Sequence, residues 1–103
     1  MSDFFNKPEG QDSNIAETTA IPLPPQKNVV FYNDDYTTME FVVDVLISVY
    51  GKSHDAAHAL MMEVHHNGSA IVGTYTYDIA VSRALLTTNL AKQNGFPLRV
   101  EVE

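Results

Sequence analysis

Residues 29–51 read VVFYNDDYTTMEFVVDVLISVYG, a stretch in which two hydrophobic patterns meet. Residues 29–32 are consecutive β-branched and aromatic residues, a composition typical of a buried strand. The polar run NDD at 33–35 ends this strand, and apolar residues then recur at helical spacing until Gly51. The stretch therefore predicts a buried strand, a polar turn and a helix of about three turns.

The start and the inner face of this helix are also predicted from spacing. Thr37 followed by Glu40 matches a capping box, in which the two side chains bond backbone amides of the first turn. The apolar positions predict the face that packs on the core. They are Met39, Val42, Val43, Leu46 and Val49 or Tyr50.

A second helix and a second strand are predicted beyond Gly51. Ser53 is a suitable N-cap residue, and Asn67-Gly68 is a suitable stop. The run from Ala70 to Tyr75 then has the composition of a strand. The face of this helix that is predicted to be buried holds Ala56, Ala57, Leu60, Met61 and Val64.

A third helix and a third strand complete the series. Thr76 can cap a helix that runs to Asn94 and ends at Gly95, and residues 98–103 alternate apolar and charged side chains as a half-exposed strand does. The predicted buried stripe of this helix is Ile79, Ala80, Leu85, Leu86 and Leu90. In the order βααβαβ, three helices can close one core only by covering a face of a small sheet, so the predicted class is an α+β sandwich.

Composition divides the 103 residues into two parts. Residues 1–26 hold four of the five prolines and have no sustained hydrophobic period, so they are predicted to be a disordered N-terminal arm. From composition alone, this arm can equally be a tail without a role. Residues 27–103 carry the periodic apolar pattern and are predicted to form the folded core domain.

The charge and the cysteine content limit the binding partners and the cellular location that we expect for the protein. Thirteen acidic residues against six basic ones give a net charge of −7, which opposes nucleic-acid binding because that needs a face of Lys and Arg. The chain has no Cys, which suits a reducing compartment, so a cytoplasmic location is expected. Neither a secretion signal nor a membrane span is expected.

Two polar clusters are candidates for a functional site. Asn33-Asp34-Asp35 lies where a strand meets a helix, and such residues commonly serve only the turn and the helix dipole there. Two adjacent carboxylates nevertheless exceed what one helix start needs. His65 is expected to lie over Met61, whereas His66 is rotated away. A lone helical His is commonly a surface residue without a ligand, so both interpretations stay open.

Metal binding and catalysis have little support in the sequence. His54 and His58 have the i, i+4 spacing of two imidazoles on one metal, but a third ligand and a Glu after the first His are missing. There is no phosphate-binding glycine loop and no nucleophile elbow. We therefore predict no metal, no cofactor and no catalytic residue, with a small hydrolase using Asp35 and His65 as the enzymatic alternative.

Residues 33–42, NDDYTTMEFV, closely resemble the NDDYTPMEFV signature of the ClpS family, whose members are adaptors that deliver N-end rule substrates to the Clp protease. Thr38 stands where the family usually has Pro. The resemblance covers residues 27–103 and implies three helices packed on a three-stranded antiparallel sheet, and an adaptor without enzymatic activity. It continues through Met61-Met62-Glu63-Val64-His65, Gly73, Tyr75-Thr76 and Pro97-Leu98.

The resemblance also implies a site for the first residue of a substrate protein. Residues implied to contact its free α-amino group are Asn33, Asp34, Asp35 and His65. Residues implied to form the hydrophobic pocket for its side chain are Phe31, Thr37, Met39, Val42, Met61, Val64 and Leu98. Met39 is the implied gatekeeper that excludes Val and Ile but admits Leu, Phe, Tyr and Trp.

A docking site for the protease is implied at the start of the third helix. Asp78 and Arg83 retain the charges of family positions that contact the N-terminal domain of the Clp unfoldase, ClpA or ClpC, although both can equally belong to a solvated helix face. The arm is then expected to be engaged by the unfoldase. The alternative function is a ClpS-like regulator that docks on the unfoldase without reading N-termini.

Overall fold

The computed structural model describes residues 24–103, so residues 1–23 of the predicted arm lie outside the described residues. The elements are β1 Gln26–Tyr32, α1 Met39–Ser48, α2 His54–Asn67, β2 Ser69–Thr76, α3 Tyr77–Gln93 and β3 Arg99–Val102. This order confirms the predicted βααβαβ arrangement. Gln26, predicted to belong to the arm, is instead the first residue of β1, where it pairs with Thr76.

The three strands form one antiparallel sheet, as predicted, and the structure shows that their order in it is β2-β1-β3. Tyr32 pairs with Ser69 on one side and with Arg99 on the other, and the register with β2 shifts between Val29 and Val30. Because β1 has a neighbour on both sides, its apolar run is the most buried part of the sheet, and Val29 and Phe31 are fully buried.

One hydrophobic cluster joins the sheet to all three helices. From α1 it takes Val42, Val45 and Leu46, of which Val45 was missed by the predicted stripe. Its buried members on α2 are Ala57, Met61 and Val64, as predicted, whereas Ala56, which was also expected on this face, is exposed and Leu60 is half-buried. Within residues 24–103, no helix is long and apolar enough to cross a membrane.

The capping box predicted for α1 is wrong. Thr38 is the N-cap residue, and its Oγ1 accepts a hydrogen bond from the amide of Phe41 at 3.2 Å. The hydroxyl of Thr37 instead donates to Oδ2 of Asp34 at 2.7 Å. The carboxylate thus holds Thr37 in the loop, and the helix begins one residue later. The predicted caps of α2 are confirmed at Ser53 and Gly68.

The buried stripe predicted for α3 is also mostly wrong. Leu85 and Leu86 are 59% and 50% exposed, and Ile79 is exposed as well. At 100° per residue the buried positions share one face, and their short side chains let the helix lie close to the sheet, which leaves the leucines on the opposite side. The buried residues of α3 are Ala80, Ala84, Thr87 and Ala91.

The far end of α1 is fixed to α3 by a group of side chains that we call the tyrosine cluster: Tyr50, Tyr75, Arg83 and Thr87. The Tyr50 hydroxyl lies 2.7 Å from Oγ1 of Thr87, which donates to the carbonyl of Arg83 at 2.8 Å. Arg83 donates to the carbonyl of Val49 and places its guanidinium carbon 5.4 Å from the centre of the Tyr75 ring. Burial raises the pKa of Tyr50 to about 12.

Candidate functional site

A cavity of about 280 Å³ lies where the loop between β1 and α1 meets the two helices. The loop contributes polar side chains, whereas α1 and α2 contribute mainly apolar ones. Met61, Val64 and His65 reach the cavity together because positions three and four residues apart lie on one face of a helix. The lining consists of Asn33, Asp34, Asp35, Thr37, Met39, Val42, Met61, Val64 and His65.

The loop is held in shape by the carboxylate of Asp34. Its Oδ1 accepts hydrogen bonds from the amides of Tyr36 at 2.8 Å and Thr37 at 2.7 Å, while Oδ2 accepts the Thr37 hydroxyl. Partial burial by itself raises the pKa of Asp34, but the bonds from Thr37 and Tyr36 outweigh it and hold that pKa below its ordinary value. Three acceptor positions of Asp34 are therefore already used.

The loop is also fastened to the end of α2. The amide of Asn33 donates to the carbonyl of Gly68 at 2.9 Å. Gly68 has a φ of +90°, in the left-handed region that glycine adopts readily, and it ends the helix just after His65. This connection holds the loop beside the imidazole on the rim of the cavity.

Three polar side chains of the cavity remain available for a ligand. Among residues 24–103, the side chains of Asn33, Asp35 and His65 make no hydrogen bond to the protein, and each of these residues is exposed. No Lys or Arg lines the cavity, whereas two carboxylates do. The floor beneath them is apolar, since Val42, Met61 and Val64 are buried. The arrangement suits a ligand with a cationic donor next to an apolar group.

The structure brings together most of the residues that the sequence predicted for this site. Every residue predicted to bind the amino group lines the cavity, as do five of the seven predicted for the hydrophobic pocket. Phe31 and Leu98 do not line it: they are 0% and 6% exposed and lie in the core cluster with Val42 and Met61. They therefore lie behind the residues that line the cavity, where they can only pack against those residues.

The predicted docking residues occupy different environments on α3. Asp78 is exposed in the first turn, whereas Arg83 is half-buried in the tyrosine cluster. Their role in docking stays a prediction. Across the part of the chain that the structure describes, no group of three or more His, Cys, Asp or Glu side chains is arranged to hold a metal ion.

A second cavity, of about 370 Å³, lies between α1 and α2 and was not predicted from the sequence. It takes Met39, Glu40, Val43 and Asp44 from α1, and His54, His58 and Met61 from α2. The signal that could have revealed it is a pair of carboxylates four residues apart on α1, followed on α2 by a pair of histidines at the same spacing.

Comparisons with known proteins agree with this fold. The family model described as "ATP-dependent Clp protease adaptor protein ClpS" matches residues 22–101. This chain belongs to the ClpS family. The family consists of adaptors of an ATP-dependent protease.

Relatives in the family are similar along most of their length. The chain is 46% identical to the ClpS adapter of Desulforapulum autotrophicum over 80 residues, which cover 78% of this chain and 77% of that protein. It is 48% identical to the ClpS of Treponema denticola over 80 residues, covering 78% of this chain and 79% of the relative. With the ClpS of Nitratidesulfovibrio vulgaris it shares 40% identity over 94 residues, 91% of this chain and 90% of the relative.

A solved structure extends the comparison to three dimensions. The structure of Agrobacterium tumefaciens ClpS2 bound to L-phenylalaninamide matches with a TM-score of 0.76 and 42% sequence identity. The match covers 79% of this chain and 98% of that one. The sheet and helix order predicted from the sequence is therefore the ClpS fold.

Proposed function

We propose that this ClpS-family adaptor binds proteins that begin with a free α-amino group on a large hydrophobic residue, namely Leu, Phe, Tyr or Trp, and delivers them to the Clp unfoldase. One observation carries the proposal. A single cavity has available acceptors and carboxylates at its rim and an apolar floor formed by Val42, Met61 and Val64. The first residue of a protein has two groups that match these parts. Its cationic amine donates hydrogen bonds to the rim, and its side chain lies next to the amine and fits the apolar floor.

The rim accounts for the selection of a free amine. A protonated amine has three donors, which the Asn33 carbonyl, the Asp35 carboxylate and the neutral imidazole of His65 can accept. Hydrogen bonds of this charged kind contribute roughly 1.5 to 3 kcal/mol each. An internal residue offers only one uncharged amide N–H, so internal sequences are rejected. Asp34 acts mainly by shaping the loop and adding negative charge.

The floor accounts for the selection of the side chain. Burying a Leu or Phe side chain contributes on the order of 1.5 to 3 kcal/mol. When the free energy of the amine's hydrogen bonds is added and the cost of association is subtracted, the total corresponds to micromolar affinity or better. The ligand of the A. tumefaciens protein, L-phenylalaninamide, carries an unblocked amine beside an aromatic side chain, and this supports the proposal.

Delivery requires a second contact, with the N-terminal domain of ClpA or ClpC. We assign this contact to the start of α3, where Asp78 is exposed in the first turn. The arm, whose first 23 residues lie outside the described part of the chain, is assigned to the unfoldase's channel. The 25 residues that precede β1 would span at most about 90 Å if fully extended, which is long enough to enter such a channel. A cytoplasmic site of action stays a prediction.

The experiment that tests the proposal compares blocked and unblocked peptides by fluorescence anisotropy. Peptides that begin with Leu or Phe should bind, and their acetylated copies should not, because acetylation removes the charge and two donors. Equal binding of both forms would overturn the proposal. If the protein binds the unfoldase's N-terminal domain but binds none of the peptides, the alternative function is supported. That alternative is a ClpS-like regulator that does not recognise N-termini.

A further inference from the structure

The second cavity is separated from the first by a wall of two methionines. Met39 and Met61 line both cavities, and they are the residues that the two linings share. Met39 is 43% exposed, so its flexible thioether forms the top of this wall. A peptide whose first side chain fills the first cavity, and whose backbone then passes over these methionines, therefore reaches the second cavity.

The second cavity also has a charge preference of its own. Glu40 and Asp44 lie one turn apart on α1, and their carboxylates have no hydrogen-bond or ion-pair partner within residues 24–103. His54 and His58 face them from α2, and no Lys or Arg lines the cavity. The lining therefore supplies no Lys or Arg charge to compensate the two carboxylates. A cationic group is the matching occupant.

The geometry of an extended peptide decides which residue reaches this cavity. In an extended chain, alternate side chains point to the same side, about 6.6 Å apart. If the first side chain points down into the first cavity, the third points down on the far side of the methionine wall. The second side chain points away from the protein.

We propose that the second cavity binds the side chain of the third residue of the substrate and favours Lys or Arg there. The inference rests on the proposed function, because it requires the first residue to fill the first cavity. The aliphatic stem of Lys or Arg lies along Met39, Val43 and Met61, and its charged end reaches Glu40 and Asp44. The two cavities thus recognise the first and the third residue of one peptide.

Two isomeric peptides test this assignment. One begins Leu-Ala-Lys and the other Leu-Lys-Ala, so their charge and composition are identical and only the position of Lys differs. At pH 8 and low salt, the peptide with Lys third should bind about fivefold more tightly, the upper range for an exposed ion pair. The double variant E40Q/D44N should bind both isomers equally.

The matched control is D55N/E63Q, which removes two exposed carboxylates of α2 that line neither cavity. This control should keep the preference for Lys in third position. Equal binding of the isomers by the unaltered protein, tighter binding with Lys second, or a preference that survives in E40Q/D44N would each overturn the inference. A Leu-Ala-Ala peptide serves as reference: if it fails to bind, the proposed function itself is what fails.

Discussion

The two ends of α1 use polar side chains in opposite ways. At its far end, the tyrosine cluster joins its polar groups to one another, as in the contact between Tyr50 and the fully buried Thr87. At its start, Asn33, Asp35 and His65 surround a cavity and make no side-chain hydrogen bond to any residue in 24–103. Groups bonded within the protein contribute to folding stability, whereas groups left open are available to a ligand. Substitutions at the two ends should therefore separate affinity from stability.

The largest effect is expected at His65. Replacing it with Ala removes one acceptor of the bound amine, so peptide affinity should fall by about ten- to hundredfold, equivalent to roughly 1.5 to 3 kcal/mol. The free energy of unfolding should change by less than about 0.5 kcal/mol because the side chain is exposed. Anisotropy and urea denaturation measure the two quantities. His66→Ala is the control, since His66 does not line the cavity; an equal loss in both variants would contradict the assignment.

The opposite pattern is expected for Thr87→Val in the tyrosine cluster. The substitution keeps the shape of a fully buried side chain but removes the hydroxyl that contacts Tyr50 and Arg83. Leaving the Tyr50 hydroxyl with a weaker partner should cost about 1 to 2 kcal/mol of unfolding free energy, without a change in peptide affinity. Urea denaturation of Thr88→Val, a half-buried neighbour, supplies the comparison. A loss of affinity in Thr87→Val would mean that the two ends are coupled.

The contrast between the ends also explains what could be predicted from the sequence. Residues of the open cavity come from short stretches of the chain, which are the loop after β1, the first turn of α1 and one turn of α2, so spacing and resemblance find them. In the tyrosine cluster, Tyr50 contacts Arg83 and Thr87, which lie 33 and 37 residues further along the chain, and no local pattern predicts such contacts. The resemblance implies that Phe31 and Leu98 belong to the pocket, but both lie in the core cluster, because sequence similarity does not distinguish a residue that lines a cavity from one that packs behind it.

The stripe of α3 shows a different limit. Hydrophobicity predicts Leu85 and Leu86 inside, but the helix buries its small residues because close approach to the sheet leaves no room for leucine. Similarly, the choice between Thr37 and Thr38 as N-cap depends on which hydroxyl the Asp34 carboxylate takes. Both outcomes depend on tertiary geometry rather than on propensity.

A smaller effect, confined to binding, is expected at Met39. The resemblance implies that Met39 excludes side chains branched at Cβ, so Met39→Ala should improve binding of Ile- and Val-led peptides by about fivefold, equivalent to roughly 1 kcal/mol. Binding of Leu-led peptides should change less, because Leu branches one carbon later. Competition anisotropy gives the ratio. Ile47→Ala, which trims an exposed residue of α1 outside the cavity, should leave the ratio unchanged; a wild type that already accepts Ile would contradict the gatekeeper role.

Asp34 should link the cavity loop to acid stability. Because hydrogen bonds hold its pKa below the ordinary value, the carboxylate contributes stability above its unfolded pKa, and this contribution is lost as the pH falls through the lower folded pKa. The difference in unfolding free energy between the wild type and Asp34→Asn should be less than about 1 kcal/mol at pH 6, since water screens this site, and should shrink below about pH 4. A difference for Asp34→Asn that grows in acid would contradict this prediction.

The smallest effect is expected at Thr38, where the family signature has Pro. Thr38→Ala removes the cap on the Phe41 amide and should cost about 0.5 to 1 kcal/mol. Thr38→Pro loses the same bond, but the φ of −75° at this position suits a proline ring, which restricts the unfolded chain by about 0.4 to 1 kcal/mol. The two terms nearly cancel, so urea denaturation should place Thr38→Pro within about 0.5 kcal/mol of the wild type and above Thr38→Ala. If Pro costs as much as Ala, the cap alone matters here, and Thr and Pro are not alternative ways to start the same helix.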